Sequence, residues 1–259
     1  MATKKIEFAA KNVKPFSAWL KRFALIDNSL LLEIDESSLA FVAKTYNEER
    51  SVVKFSEIQF DEAGLLIKST PESNGKRVKA GLYNIPRLIK VMDQFGSESF
   101  DIIFNYDEIL GDKPEFAATT IILKNKNLKI TIDCTSLNIF KYIDDSLFET
   151  VIAKVDKVVD TFDLSREDIE KINSLSGLDS DYKYLAFSRN NGIYVSGKTF
   201  ELLLLADTDV TTKSSIDVFK DQFEKIDVEN YKVVMGEDRL VFKSSTSNTV
   251  VTVSMVEKD

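Results

Sequence analysis

Histidine is missing altogether from the 259 residues of this chain. That removes the Ser-His and Cys-His nucleophile pairs of acyl-transfer enzymes and the imidazole ligands that most zinc sites use. Cysteine is nearly missing too. Cys134 is the only one, so no intrachain disulfide can form, and a reducing compartment, the cytoplasm, is expected. It ends the alternating run Leu128-Lys129-Ile130-Thr131-Ile132-Asp133-Cys134, where a thiol reads as a small apolar side chain rather than a nucleophile. No stretch reaches the roughly 18 apolar residues of a membrane span, and Met1-Ala2-Thr3-Lys4-Lys5 runs into Ile6-Glu7-Phe8 instead of a signal-peptide core. There is no P-loop and no GxGxxG. Adjacent acids such as Asp61-Glu62 and Asp144-Asp145 read as solvated surface in a chain with 42 Asp and Glu. The expectation is a protein that is not an enzyme, with no catalytic residues, no metal and no cofactor.

What is present is a globular composition: 44% hydrophobic, 29% charged, four prolines. The length suits two domains of roughly 125 residues each. Net charge is -8, which argues against nucleic acid only if the 34 basic residues are spread evenly. Period-2 alternation predicts strands over 29–35, 39–45, 52–60, 100–106, 119–124, 128–134, 182–188, 192–196, 231–235, 239–243 and 249–255. Helical spacing appears four times. Pro15 opens a segment with Phe16, Trp19, Leu20 and Phe23 on one face. Ile85, Leu88, Ile89 and Met92 form a second face, with Pro86 near its start. In the third, Ser165 is the expected N-cap with Asp168 three residues on, ahead of Ile169, Ile172 and Leu175, and Gly177 is expected to close it. Phe219, Phe223 and Ile226 mark a fourth, over barely two turns.

The order repeats. Ile6-Glu7-Phe8 before the first helix corresponds to Asp160-Thr161-Phe162 before the third, and the second and fourth helices each precede an aromatic-led strand, Phe100-Asp101-Ile102-Ile103 and Tyr231-Lys232-Val233-Val234. This is an internal duplication with domains expected at 1–135 and 158–259 and a connector at 136–157. The fold class is α+β: two similar strand-rich domains, each with two short helices.

With that order, Ile85-Pro86-Arg87-Leu88-Ile89-Lys90-Val91 and the strands Asn230–Met235 and Val250–Val253 resemble those of DNA sliding clamps of the proliferating cell nuclear antigen type, and among them the bacteriophage polymerase clamps. The resemblance covers the whole chain by element order. It implies a processivity factor: a homotrimeric ring, helices inside and sheets outside, around double-stranded DNA. DNA polymerase and a clamp loader would dock on it, in the host cytoplasm if the source is viral. A monomeric DNA-binding accessory subunit of a polymerase and a β-rich phage structural protein are the alternatives left open.

Candidate residues follow. Lys14, Lys21 and Arg22 lie off the apolar stripe of the first helix, and Arg87 and Lys90 off that of the second, so both outer faces are basic. Lys171 gives the third helix a weaker charge, diluted by Glu167, Asp168 and Glu170, and Lys76 and Arg77 add a basic turn. Such cations would read phosphates and not bases, as a sliding protein requires. For the subunit interface, the apolar run with Leu202, Leu203 and Leu204 would be an open-edge hazard unless covered; the resemblance implies a partner at Leu128, Ile130 and Ile132 of the next copy. It also implies a partner-peptide groove near the connector, with Val42, Lys44, Tyr46, Leu147, Val151, Met255 and Val256.

Overall fold

The computed structural model describes residues 4–69, 77–109, 115–143, 154–179, 181–206 and 213–256. Leu147 and Val151, in the middle of the expected connector, lie outside them, as does Lys76. The described chain divides into two compact units, one of residues 4–46 with 55–143 and one of residues 47–54 with 154–256.

The first unit runs β1 (Lys4–Ala10), α1 (Lys14–Ala24), β2 (Leu30–Asp35), β3 (Ala40–Tyr46), β4 (Val52–Gln59), β5 (Leu65–Ser69), β6 (Val78–Leu82), α2 (Ile85–Asp93), β7 (Phe100–Ile109), β8 (Glu115–Lys124), β9 (Lys129–Asp133) and a 3₁₀ turn at Leu137–Ile143. Its strands lie in the order β4-β3-β2-β6-β8-β7-β1-β5, with β9 beside β8. They pair antiparallel except β6 with β8, which run parallel at Val78 opposite Phe116. Period 2 puts Leu32 and Ile34 of β2 on the face that meets α1 and α2, while Leu31 and Glu33 take the other. The core is aromatic: Phe8 packs on Phe41 at 5.2 Å and on Phe60 at 5.0 Å, and Phe16 of α1 stands 5.0 Å from Phe41. Each buried ring contributes roughly 1.5–3 kcal/mol.

The reverse face of β2, β3 and β6 is covered as well. The 3₁₀ turn packs on all three strands, with Phe140 and Ile143 buried. Gly81 of β6 makes room for it, because a Cβ there would stand 2.5 Å from the Thr135 carbonyl oxygen.

The second unit runs β10 (Val158–Leu164), α3 (Arg166–Leu178), β11 (Tyr184–Arg189), β12 (Gly192–Ser196), β13 (Glu201–Ala206), β14 (Ser214–Phe219), α4 (Lys220–Phe223), β15 (Tyr231–Gly236), β16 (Arg239–Ser244) and β17 (Asn248–Ser254). Two strand orders result, β10-β15-β16-β17 and β13-β12-β11-β14. The Asn47–Lys54 stretch belongs here because its contacts do: Ser254 N donates to Ser51 O at 2.8 Å, and Lys54 Nζ to Asp227 at 2.6 Å. A single cut in the chain therefore does not describe the division. The topology repeats that of the first unit: β10-β15-β16-β17 matches β1-β7-β8-β9, and β14-β11-β12-β13 matches β6-β2-β3-β4.

Two expectations about helix ends are corrected. Gly177 does not close α3, which continues to Leu178. The fourth helix is one turn, not two: Phe219 is extended at its N-cap, and Ile226 is buried beyond its end.

Candidate nucleic-acid and partner surfaces

The cations of α1 and α2 reach one surface for a packing reason. α1 buries Phe16, Trp19, Leu20 and Phe23, and the Trp19 indole N–H donates to Ser56 Oγ at 2.9 Å. α2 buries Ile85, Leu88, Ile89 and Met92 in the same core. The helices also touch each other, and Ile85 N donates to Asn28 O at 2.8 Å, joining the exit of α1 to the start of α2. Two amphipathic helices side by side on one core present their opposite faces in one direction. On that outer layer Lys14, Lys21, Arg87 and Lys90 are exposed and Arg22 half-buried. Lys21, Arg22 and Lys90 sit in the last turns, where the helix dipole favours cations. Asn84 starts α2 from a left-handed conformation at φ 63°, its side chain accepting from Arg87 N at 3.0 Å.

The same logic gives less on α3. A capping box joins Ser165 and Asp168 and fixes the helix start, and Lys171 is exposed as expected. Glu167 and Glu170 are exposed around it, and Arg166 is paired to Glu170 at 2.9 Å.

Arg77 is a correction. Its guanidinium donates to Glu33 Oε2 at 2.9 Å and to Asp35 Oδ2 at 2.8 Å, so its charge is engaged with carboxylates of β2 rather than offered to phosphates. Lys44 bonds the other oxygen of Glu33 at 3.0 Å. Burial pushes the Asp35 carboxyl up, but the Ser37 hydroxyl, Arg77 and the Ser38 N–H together outweigh it and hold the group below its ordinary value. Glu33 and Lys44 form a buried pair, which is why the Lys44 ammonium tolerates its site.

Val42 and Lys44 are likewise corrected as groove residues: each is 1% exposed, on a strand that the 3₁₀ turn covers. Tyr46, half-buried, is held by that turn, donating to Ile139 O at 2.6 Å with its ring 5.3 Å from Tyr142. Met255 and Val256, in contrast, line a cleft of about 790 Å³ in the second unit. The other walls come from Asn47, Glu49, Ser51, Tyr182, Lys183, Phe219 and the α4 segment, a set without a sequence signature. Burial, then the neighbouring Asp133, pushes the Cys134 thiol up to about 12, far from a reactive thiolate.

The interface candidates lie on edges. Among the described residues β9 bonds only β8, and β13 bonds only β12. Leu128 and Leu203 are exposed, and Ile130, Ile132, Leu202 and Leu204 are half-buried. Sequence reasoning missed β5, β6 and β14, which carry too few alternating apolar residues to register. No helix among the described residues is long and apolar enough to cross a membrane, and none of their Cys, Asp and Glu side chains form a group able to hold a metal ion.

No protein-family model matches the sequence, and no curated protein matches it. Solved structures do. A Helicobacter pylori beta clamp bound to a DNA ligase peptide is similar over 100% of this chain and 67% of its own, with TM-score 0.64 and 10% identity. The proliferating cellular nuclear antigen of Entamoeba histolytica is similar over 100% of both chains, with TM-score 0.59 and 11% identity. The A. fulgidus nuclear antigen bound to the C-terminal region of FEN-1 is similar over 99% of this chain and 100% of its own, at TM-score 0.57 and 10% identity. The chain has the sliding-clamp fold.

Proposed function

We propose that this chain is a DNA sliding clamp: a subunit without catalytic activity that closes with identical copies around duplex DNA and tethers a polymerase to it. The observation that carries this reading is a mismatch between two equivalent pairs of strands. Within the second unit β17 lies beside the Val52–Lys54 half of β4. In the repeat, β9 stands where β17 does and β13 where β4 does, yet among the described residues both have an open edge. Pairing β9 of one copy with β13 of the next would reuse the same geometry and leave neither edge bare. By resemblance to two-domain clamps the ring has three subunits.

The outer layer of α1 and α2 supports the DNA part. Lys14, Lys21, Arg22, Arg87 and Lys90 are long basic side chains, suited to phosphates and to sequence-independent holding. Lys171 adds a weaker contact. Partners, a polymerase and a clamp loader, would dock in the cleft beside Met255 and Val256; two similar structures are of clamps with a DNA ligase peptide and with the FEN-1 C-terminal region. The deciding experiment is retention on DNA at moderate salt after loading. A clamp stays on nicked circles and runs off linear DNA of the same length. Equal loss from both would instead indicate an accessory subunit that holds DNA by charge alone.

A further inference from the structure

Tyr83 carries the only exposed aromatic side chain among the described residues, at 73% exposure. Its ring meets no other ring and its hydroxyl makes no hydrogen bond among them. It stands directly before Asn84, the cap of α2, where an apolar side chain often folds down onto the fourth helical residue. That residue, Leu88, is buried, yet Tyr83 stays in water, so closing the helix start does not account for the ring. What shares its surface is charge. Arg87 follows one turn on, and the bond from Ile85 N to Asn28 O ties this point to the exit of α1, with Lys21, Arg22 and a second exposed apolar residue, Leu25. Lysines of the neighbouring strands are neutralised locally, Lys68 by Asp101 and Lys79 by Glu115. Lys14, Lys21, Arg87 and Lys90 are exposed and pair with no carboxylate among the described residues.

We propose that Tyr83 is a stacking platform for one unpaired base of single-stranded DNA, whose phosphates are held by the cations of α1 and α2. The inference rests on the reading of that layer as the DNA face and adds a class of substrate to it, because a duplex keeps its bases stacked on one another and out of reach. The phosphate backbone supplies the negative charge that the layer lacks. A base supplies a flat apolar face for an aromatic ring, and every base has one, so the contact is indifferent to sequence. The platform is set on a fixed point of the fold: Asn84 holds φ 63° between Tyr83 and the buried Ile85, and its side chain accepts from Arg87 N at 3.0 Å. A side chain with two torsions that already stands in water gives up little freedom when a base settles on it. An acidic protein surface would match the charge as well, and the test separates the two.

The test uses the full chain and two oligonucleotides of equal length, oligothymidine and a strand abasic throughout, which carry the same phosphate charge. Affinities are measured by calorimetry over a range of salt concentrations. Oligothymidine is expected to bind roughly 5–150-fold more tightly than the abasic strand, the worth of a single stacked base. Tyr83→Ala should abolish that preference without altering the slope of log affinity against log salt, because no charge is lost, and Tyr83→Phe should keep it. Equal affinities on the unaltered chain overturn the proposal and leave the aromatic ring to a protein surface. A preference that survives Tyr83→Ala overturns it too, as does one lost in Tyr83→Phe, which would make the hydroxyl and not the ring the recognised group. Because the probe comparison needs no variant, a misfolded Tyr83→Ala does not blunt it. Retention on nicked circles, measured in parallel, depends on duplex phosphates; its failure would sink the clamp reading and leave the comparison of the two strands standing.

Discussion

The Lys54 ammonium stands 2.6 Å from the Asp227 carboxylate, and both side chains are shut away from water. Such a pair gains little over an apolar replacement but is costly to break by halves, because the survivor is a buried charge. Asp227→Asn is expected to cost about 3–5 kcal/mol in urea unfolding, whereas Lys54→Met with Asp227→Leu should recover most of that loss. An additive double variant would show that the two groups do not act as a pair.

A second expectation is a dependence on acid. The Asp35 carboxyl is held below its ordinary value in the folded chain by the Ser37 hydroxyl, Arg77 and the Ser38 N–H, against the upward push of burial. A depressed folded value means that the unfolded chain takes up the proton first. The stability Asp35 contributes is thus complete above about pH 4 and is lost as pH falls through the folded value. Arg77→Gln should reduce stability at pH 7 and flatten the acid limb of a stability-against-pH curve. An unchanged limb would remove Arg77 from the account.

DNA binding should show its dependence on charge. If Arg87 and Lys90 each neutralise a phosphate, Arg87→Ala with Lys90→Ala lowers the slope of log affinity against log salt by about two units, without changing sequence preference. Lys171→Ala should have a smaller effect, since Glu167 and Glu170 flank it. An unaltered slope in the double variant would place the DNA elsewhere.

Association should depend on β13. Leu203 is 48% exposed at an open edge, so Leu203→Glu puts a charge where a second strand would lie while leaving the core alone. Light scattering should fall from three times the monomer mass to one, with the circular-dichroism spectrum unchanged. A trimer that survives the substitution counts against this edge.

Helix entry is a second lever on the basic layer. Asn84 holds φ 63° and caps α2, so Asn84→Ala loses the side-chain acceptor of the Arg87 N–H, leaving it the Asn84 carbonyl oxygen at 2.9 Å, and strains the backbone. A loss of roughly 1–3 kcal/mol is expected, and Asn84→Gly should restore part of it, since glycine tolerates that conformation. Thermal unfolding of the pair of variants separates cap from strain.

Much of this fold is legible as pattern. The run Gly192–Ser196 alternates cleanly and is a strand over those same residues, and the apolar stripes of α1 and α2 are the faces that are buried. Patterns failed where the deciding partner is distant in sequence. Alternation along β3 cannot reveal that residues 137–143 will cover Val42 and Lys44, or that Glu33 will take both Lys44 and Arg77. β6 alternates Val78, Ala80 and Leu82 over only five residues, too short a run to register, and its Gly81 is explained only by the neighbouring segment that needs the space.

The edges of β9 and β13 are unlike, so a contact between copies through them would be directional, each copy offering a different end to each neighbour. Such a chain of contacts stops growing only by biting its own tail, and the closing contact is then intramolecular, driven by effective concentration rather than by supply. Individually weak joints can in this way sustain a long-lived assembly. A copy with one edge sealed would act out of proportion to its number, since every array that takes it up is left unable to close.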